Sequence, residues 1–218
     1  MNIIFSYEIE RDVQNFIAST QSVNSSQSTE LCLKYIEEYG SAFDESTVKF
    51  FIEKYLQSKQ VDISAVLNKI ESKWRILEES FVLRCENLFG LSYPKDRITA
   101  YLTTNQRCTY NISEGYFFLT LGSENTHAII MHELFHFYTY EAFHKNLMEQ
   151  GVSASQYNDI KESLTELLNS EFADLMGISI DRGYIQHKNM RQFIREFWEK
   201  DKDLNRLVGE LILYSYEK

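Results

Sequence analysis

A chain of 218 residues with 44% hydrophobic and 14% aromatic side chains can bury a core of its own, which excludes disorder as its overall state. The formal net charge of −10 speaks against nucleic acid or an anionic membrane surface as partner. No apolar run approaches the roughly 20 residues of a membrane span, and the start, MNIIFSYEIERD, carries no secretory-signal pattern.

The first ninety residues read as helical, after a short β-prone run at residues 3–7. A helix is expected over 8–18 through Ile9, Val13, Phe16 and Ile17, followed by the polar, Ser-rich stretch 19–29. Thr29 starts a second helix that ends near Gly40, and Asp44 precedes a third with Val48, Phe51, Ile52, Tyr55 and Leu56. A longer helix is predicted from about 62 to 89, with Ile63, Val66, Ile70, Trp74, Leu77, Phe81 and Cys85 at helical spacing. That stripe is packing surface. The only proline, Pro94, then falls in a loop. Residues 97–104, 106–112 and 115–121, rich in Thr, Tyr, Ile and Phe, read as three short strands of a small antiparallel sheet.

Further helices are expected over 155–176, 189–200 and 204–214. The fold class is therefore α+β, mostly helical. A helical N-terminal region, residues 1–90, is expected to pack on residues 91–218 in one compact domain. Cys32, Cys85 and Cys108 are odd in number and far apart, which suits buried thiols in a cytoplasmic protein and no disulfide framework.

The chemistry concentrates in His132-Glu133-Leu134-Phe135-His136, on a helix predicted within 126–140. Residues four apart lie one turn apart on one helix face, so two imidazoles can converge on one ion. Glu133, about 100° round the helix, is placed to reach a water on that ion rather than to complete the chelate. The flanks are apolar on nearly every side, so the helix should be buried all round, where unpartnered polar groups are costly. A metal ion with its water would satisfy all three side chains, and H-E-x-x-H is the zinc-peptidase pattern.

Catalytic zinc takes three protein ligands and leaves a position open. The third is sought among Glu162, Glu166, Glu171 and Asp174. On a helical wheel Glu162, Glu166 and Asn169 share a face, which favours Glu162 as ligand with Glu166 behind it, orienting a ligand histidine. Glu171 and Glu166 follow as alternatives. The metzincin extension is excluded, because position 139 is Thr and position 142 is Ala. His127 and His144 read as structural or exposed.

His132-Glu133-Leu134-Phe135-His136 followed by a glutamate on the next helix resembles the gluzincin metallopeptidases, the thermolysin-like group of zincins. The resemblance covers residues 97–176. It departs in Glu162-x-x-x-Glu166, where an aspartate usually stands in the second place, and in Asn169-Ser170-Glu171, where several gluzincins join Asn directly to Glu. It implies a Zn²⁺ cofactor held by His132, His136 and Glu162, with Glu133 as general base. It also implies a peptide or protein substrate laid along a sheet edge, for which residues 97–104 or 115–121 are the expected strand. His187 leads Tyr184, Tyr138 and Tyr140 as candidate donor to the oxyanion. Two other classes stay open: a zinc-stabilised interaction module, and a hydrolase of non-peptide substrates.

Overall fold

The computed structural model describes residues 2–21, 29–92 and 97–216; Pro94 and most of the Ser-rich stretch lie outside them. The fold is α+β and mostly helical, with one four-stranded mixed sheet. It divides into two compact units, Met1–Arg75 with Lys95–Thr126, and Ile76–Pro94 with His127–Lys218. Among the described residues no helix is long and apolar enough to cross a membrane.

In the first unit strand β1 (Asn2–Ser6) leads into helix α1 (Ile9–Gln21). Helix α2 (Glu30–Tyr39) is capped by the Thr29 hydroxyl, which accepts from the Cys32 N–H, and α3 (Glu45–Ser58) by Asp44, which accepts from the Thr47 N–H. Each cap satisfies a backbone donor that the first helical turn leaves without a partner. The apolar faces of these three helices meet in a cluster of Val13, Phe16, Leu31, Cys32, Tyr35, Val48, Phe51 and Ile52. Helix α4 (Ile63–Phe89) follows, and from Ile76 onward it belongs to the second unit. Strands β2 (Arg97–Thr103), β3 (Tyr110–Asn111) and β4 (Tyr116–Thr120) complete the sheet in the order β1-β2-β4-β3.

The sheet corrects the expectation of three antiparallel strands. Strands β1, β2 and β4 are parallel, and only β3 runs against its neighbour. Period-2 alternation reports which face of a strand is buried and is silent on strand direction. The strand expected over 106–112 shrinks to two residues because the chain before it bonds to α1 instead of to a strand. Asp12 accepts from the Thr104 N–H at 3.0 Å and from the Thr103 hydroxyl at 2.6 Å. Asn15 donates to the Thr103 hydroxyl and to the Arg107 carbonyl, both at 2.9 Å, and accepts from the Thr109 hydroxyl at 2.8 Å. Both strands expected to offer a peptide-binding edge, β2 and β4, are internal; β1 and β3 are the outer strands. Burial pushes the Asp12 carboxyl up to about 6, against the hydrogen bonds from Thr103 and Thr104.

The second unit is built round α5 (Thr126–Thr139), in which Ile130, Met131, Leu134, Phe135, Phe137 and Tyr138 are fully buried. Each such side chain contributes about 1.5–3 kcal/mol of hydrophobic stabilisation. A π turn (Tyr140–His144) joins α5 to α6 (Lys145–Glu149). Helix α7 (Ala154–Leu164) begins at a capping box in which Ser153 and Gln156 bond reciprocally. The single helix expected over 155–176 is broken into α7, α8 (Glu166–Glu171) and α9 (Ala173–Met176). At the first break the Thr165 hydroxyl and Arg191 donate to the Glu162 carbonyl; at the second, Phe172 leaves helical geometry with φ −127°. Helices α10 (Lys188–Trp198) and α11 (Leu204–Tyr216) close the unit.

Candidate metal centre

The motif helix does what its spacing requires. The imidazoles of His132 and His136 project from successive turns of α5, with their Nε2 atoms 2.9 Å apart. Helix α7 brings Glu162 to the same point: Oε1 lies 3.4 Å from His136 Nε2, and Oε2 lies 3.9 Å from His132 Nε2. His132, His136 and Glu162 each offer one ligand atom, all within 4.8 Å of one another, so this group can hold a metal ion. His136 and Glu162 are buried, whereas the His132 side chain keeps 22% of its surface, so the centre reaches solvent on that side.

The residues fit a metal on two observations. Ligand atoms about 2.0–2.1 Å from a tetrahedral ion lie about 3.3–3.4 Å apart, and the observed separations of 2.9, 3.4 and 3.9 Å bracket that spacing. The second is the direction of the imidazole lone pairs. His132 Nδ1 bonds to Asp181 Oδ2 at 2.5 Å, which assigns the Nδ1 proton to that bond and turns Nε2 inward, as metal-bound histidines are held. Two inward-facing nitrogens 2.9 Å apart then need a cation or a proton between them.

The electrostatics agree. Burial pushes His136 down to about 3 and keeps it neutral, as a ligand imidazole must be. Burial alone would lower His132 too, but its hydrogen bond to Asp181 and the charges of Glu133, Asp181 and Glu162 raise it. Burial would raise Glu162; contact with His136 and the Lys161 ammonium outweighs that and holds the carboxyl below its usual range. Glu133 is buried beside the cluster and is pushed up to about 7, by burial first and then by the charge of Glu162, against the opposing pull of His132. Its Oε2 atom is buried and has no hydrogen-bond partner among the described residues.

The other carboxylate candidates are committed elsewhere. Glu166 is buried between Arg191 and Arg195, at 2.9 Å from each, and does not orient a histidine. The break at Thr165 is the reason, since a wheel drawn as one continuous helix misplaces everything after it. Glu171 accepts from Trp198 Nε1 and pairs with Lys202, both at 2.6 Å, and Asp174 pairs with Arg84. His187 is buried with Nε2 2.9 Å from Asp159 Oδ1. Tyr138 is buried and stacked on Phe89, Tyr140 is half-buried and stacked on His144, and Tyr184 is 57% exposed. His127 bonds to the Met176 carbonyl at 3.2 Å, a structural role.

Sequence reasoning missed Asp181, which performs the task assigned to Glu166. It sits on the loop after α9 and is held from four sides. The Thr165 hydroxyl lies 3.1 Å from its carboxylate, and Arg191 pairs with it at 2.9 Å. Asn169 bonds both its N–H and its carbonyl at 2.8 Å. Arg191, whose Nη2 also donates to the Asp181 carbonyl at 2.6 Å, ties α10 to this loop and to Glu166. The one available signal was Asn169, noted only for its place on the wheel.

Comparison of the chain with protein-family models, with curated proteins and with solved structures finds no match.

Proposed function

We propose that the protein is a zinc-dependent metallopeptidase of the gluzincin type, acting on peptide or protein substrates in the cytoplasm. The observation that carries this reading is the convergence of His132, His136 and Glu162 on one point, with a buried carboxylate, Glu133, on the adjoining face of the same helix. Two histidines and one carboxylate are the donor set of hydrolytic zinc, and a purely structural zinc normally takes four protein ligands and needs no base. Zinc held there supplies Lewis acidity, polarising a carbonyl and lowering the pKa of a water in its open position.

The chain's own residues do the rest. Asp181 fixes the tautomer and the ring plane of His132. Glu133, buried beside the cluster, accepts a proton from the attacking water and can return it. In peptide hydrolysis the water oxygen bonds to the carbonyl carbon. The C–N bond then breaks, and the proton held by Glu133 passes to the leaving amine. The buried apolar side chains of α5 limit access of bulk water to Glu133.

The test is turnover of a peptide library by zinc-loaded protein, with Glu133→Gln and chelator-treated protein as controls. Cleavage that both controls abolish supports the reading. Cleavage that persists in Glu133→Gln, or none by protein carrying stoichiometric zinc, overturns it and leaves the interaction module or a non-peptide substrate.

A further inference from the structure

One charged group at the centre has no place in that mechanism. Lys161, the residue before Glu162 on α7, is only 2% exposed, and its Nζ lies 2.6 Å from Glu162 Oε1. A buried lysine is rare unless paired, and its long stem gains contacts only by bringing the ammonium along. Neighbouring residues on a helix point about 100° apart, so Lys161 folds back round α7 to reach the carboxylate. The oxygen it holds is Oε1, the one 3.4 Å from His136 Nε2 and therefore facing the imidazole pair.

We propose that Lys161 is a built-in competitor for the metal: its ammonium holds the ligand carboxylate of Glu162 in the metal-free protein and opposes the ion that must take its place. The proposal rests on the metal-centre reading and deepens it, since it assigns the regulation of that site. The physical reason is charge at close quarters. Glu133 and Glu162 are the carboxylates at the centre besides Asp181, which is paired with Arg191. Lys161 supplies positive charge to these carboxylates before an ion arrives. Once a divalent cation is bound to Glu162, the same ammonium becomes a like charge a few ångströms away in a poorly screened interior. Whether Nζ leaves Oε1 or stays on it, its charge weakens binding of the dication. The ammonium thereby lowers the affinity of the centre for zinc, while it offsets the charge of Glu162 in the metal-free protein.

The sign of the effect distinguishes this role from a structural one. Damage to the site weakens metal binding; removal of a competitor strengthens it. Full-length wild type, Lys161→Met and Lys161→Arg are stripped with a chelator, checked by circular dichroism and thermal melting, and titrated with zinc against a chromophoric chelator of known affinity. Lys161→Met, which keeps the length of the stem without the charge, is expected to bind zinc at least about tenfold more tightly than wild type. Lys161→Arg, which keeps the charge, is expected to stay close to wild type. Should Lys161→Met fail to fold, Lys161→Gln, an uncharged donor to Glu162, carries the same expected gain. Affinity unchanged or weaker in the folded uncharged variant overturns the competitor role while leaving the metal centre intact. No zinc binding by any of the proteins, wild type included, overturns the metal centre and this proposal with it.

Discussion

Replacing Asp181 by asparagine tests how the centre is held. The carboxylate accepts from two donors, His132 Nδ1 at 2.5 Å and Arg191 at 2.9 Å, and lies 3.1 Å from the Thr165 hydroxyl. An asparagine of the same shape keeps one acceptor oxygen and turns an N–H₂ toward the other donor, so either His132 or Arg191 loses its partner. Loss of a hydrogen bond to a charged group costs about 1.5–3 kcal/mol. At 1.4 kcal/mol per decade that corresponds to roughly 10- to 100-fold in zinc affinity, the usual effect of removing a carboxylate behind a ligand histidine. Chelator competition on folded Asp181→Asn is expected to show a loss of that size with one zinc per chain retained at saturation. Unchanged affinity would refute an orienting role for Asp181. Complete loss of metal at saturation would make Asp181 a ligand in its own right.

Three further outcomes follow from other parts of the chain. Glu133→Gln should keep its zinc and lose about 10²- to 10⁴-fold in peptide turnover, read by single-turnover cleavage; near-normal cleavage would remove Glu133 from the chemistry. Asp12, pushed up to about 6 in the fold from 3.8, binds a proton more tightly folded than unfolded. Its contribution to stability is therefore full below 3.8 and is lost as pH rises through about 6, roughly 3 kcal/mol in all. Urea unfolding at low and neutral pH should show Asp12→Asn gaining on wild type by about that amount as pH rises; a difference independent of pH would contradict it. Ser153→Ala removes one arm of the capping box of α7 and should cost about 1 kcal/mol of stability, measured by the shift in urea midpoint; no shift would mean that solvent replaces the cap.

What could be read in the sequence is what neighbouring residues decide. The caps at Thr29, Asp44 and Ser153 lie where short polar side chains precede apolar helical periods, and α4 runs over almost the expected span because its stripe is unbroken. His132, His136 and Glu133 were legible because four-residue spacing on a helix is itself a geometric statement. Glu162 was reached because a helix does form there as far as Leu164, which places Glu162 in the last turn before the break. Glu166 was misassigned because the break at Thr165 depends on Arg191, 26 residues further on. Asp181 stands 49 residues from His132 on a loop, and no local pattern announces a partner at that distance. Strand direction was hidden for a related reason: α1 side chains far earlier in the chain hold residues 103–109 away from a hairpin.

The most direct measurement is zinc content per chain, by mass spectrometry on protein loaded and then freed of excess metal, for wild type, His136→Ala and Glu162→Ala. The expected result is one zinc in wild type and none in either folded variant. Wild type that stays metal-free after loading, or Glu162→Ala that retains its full zinc, would contradict a centre built from His132, His136 and Glu162.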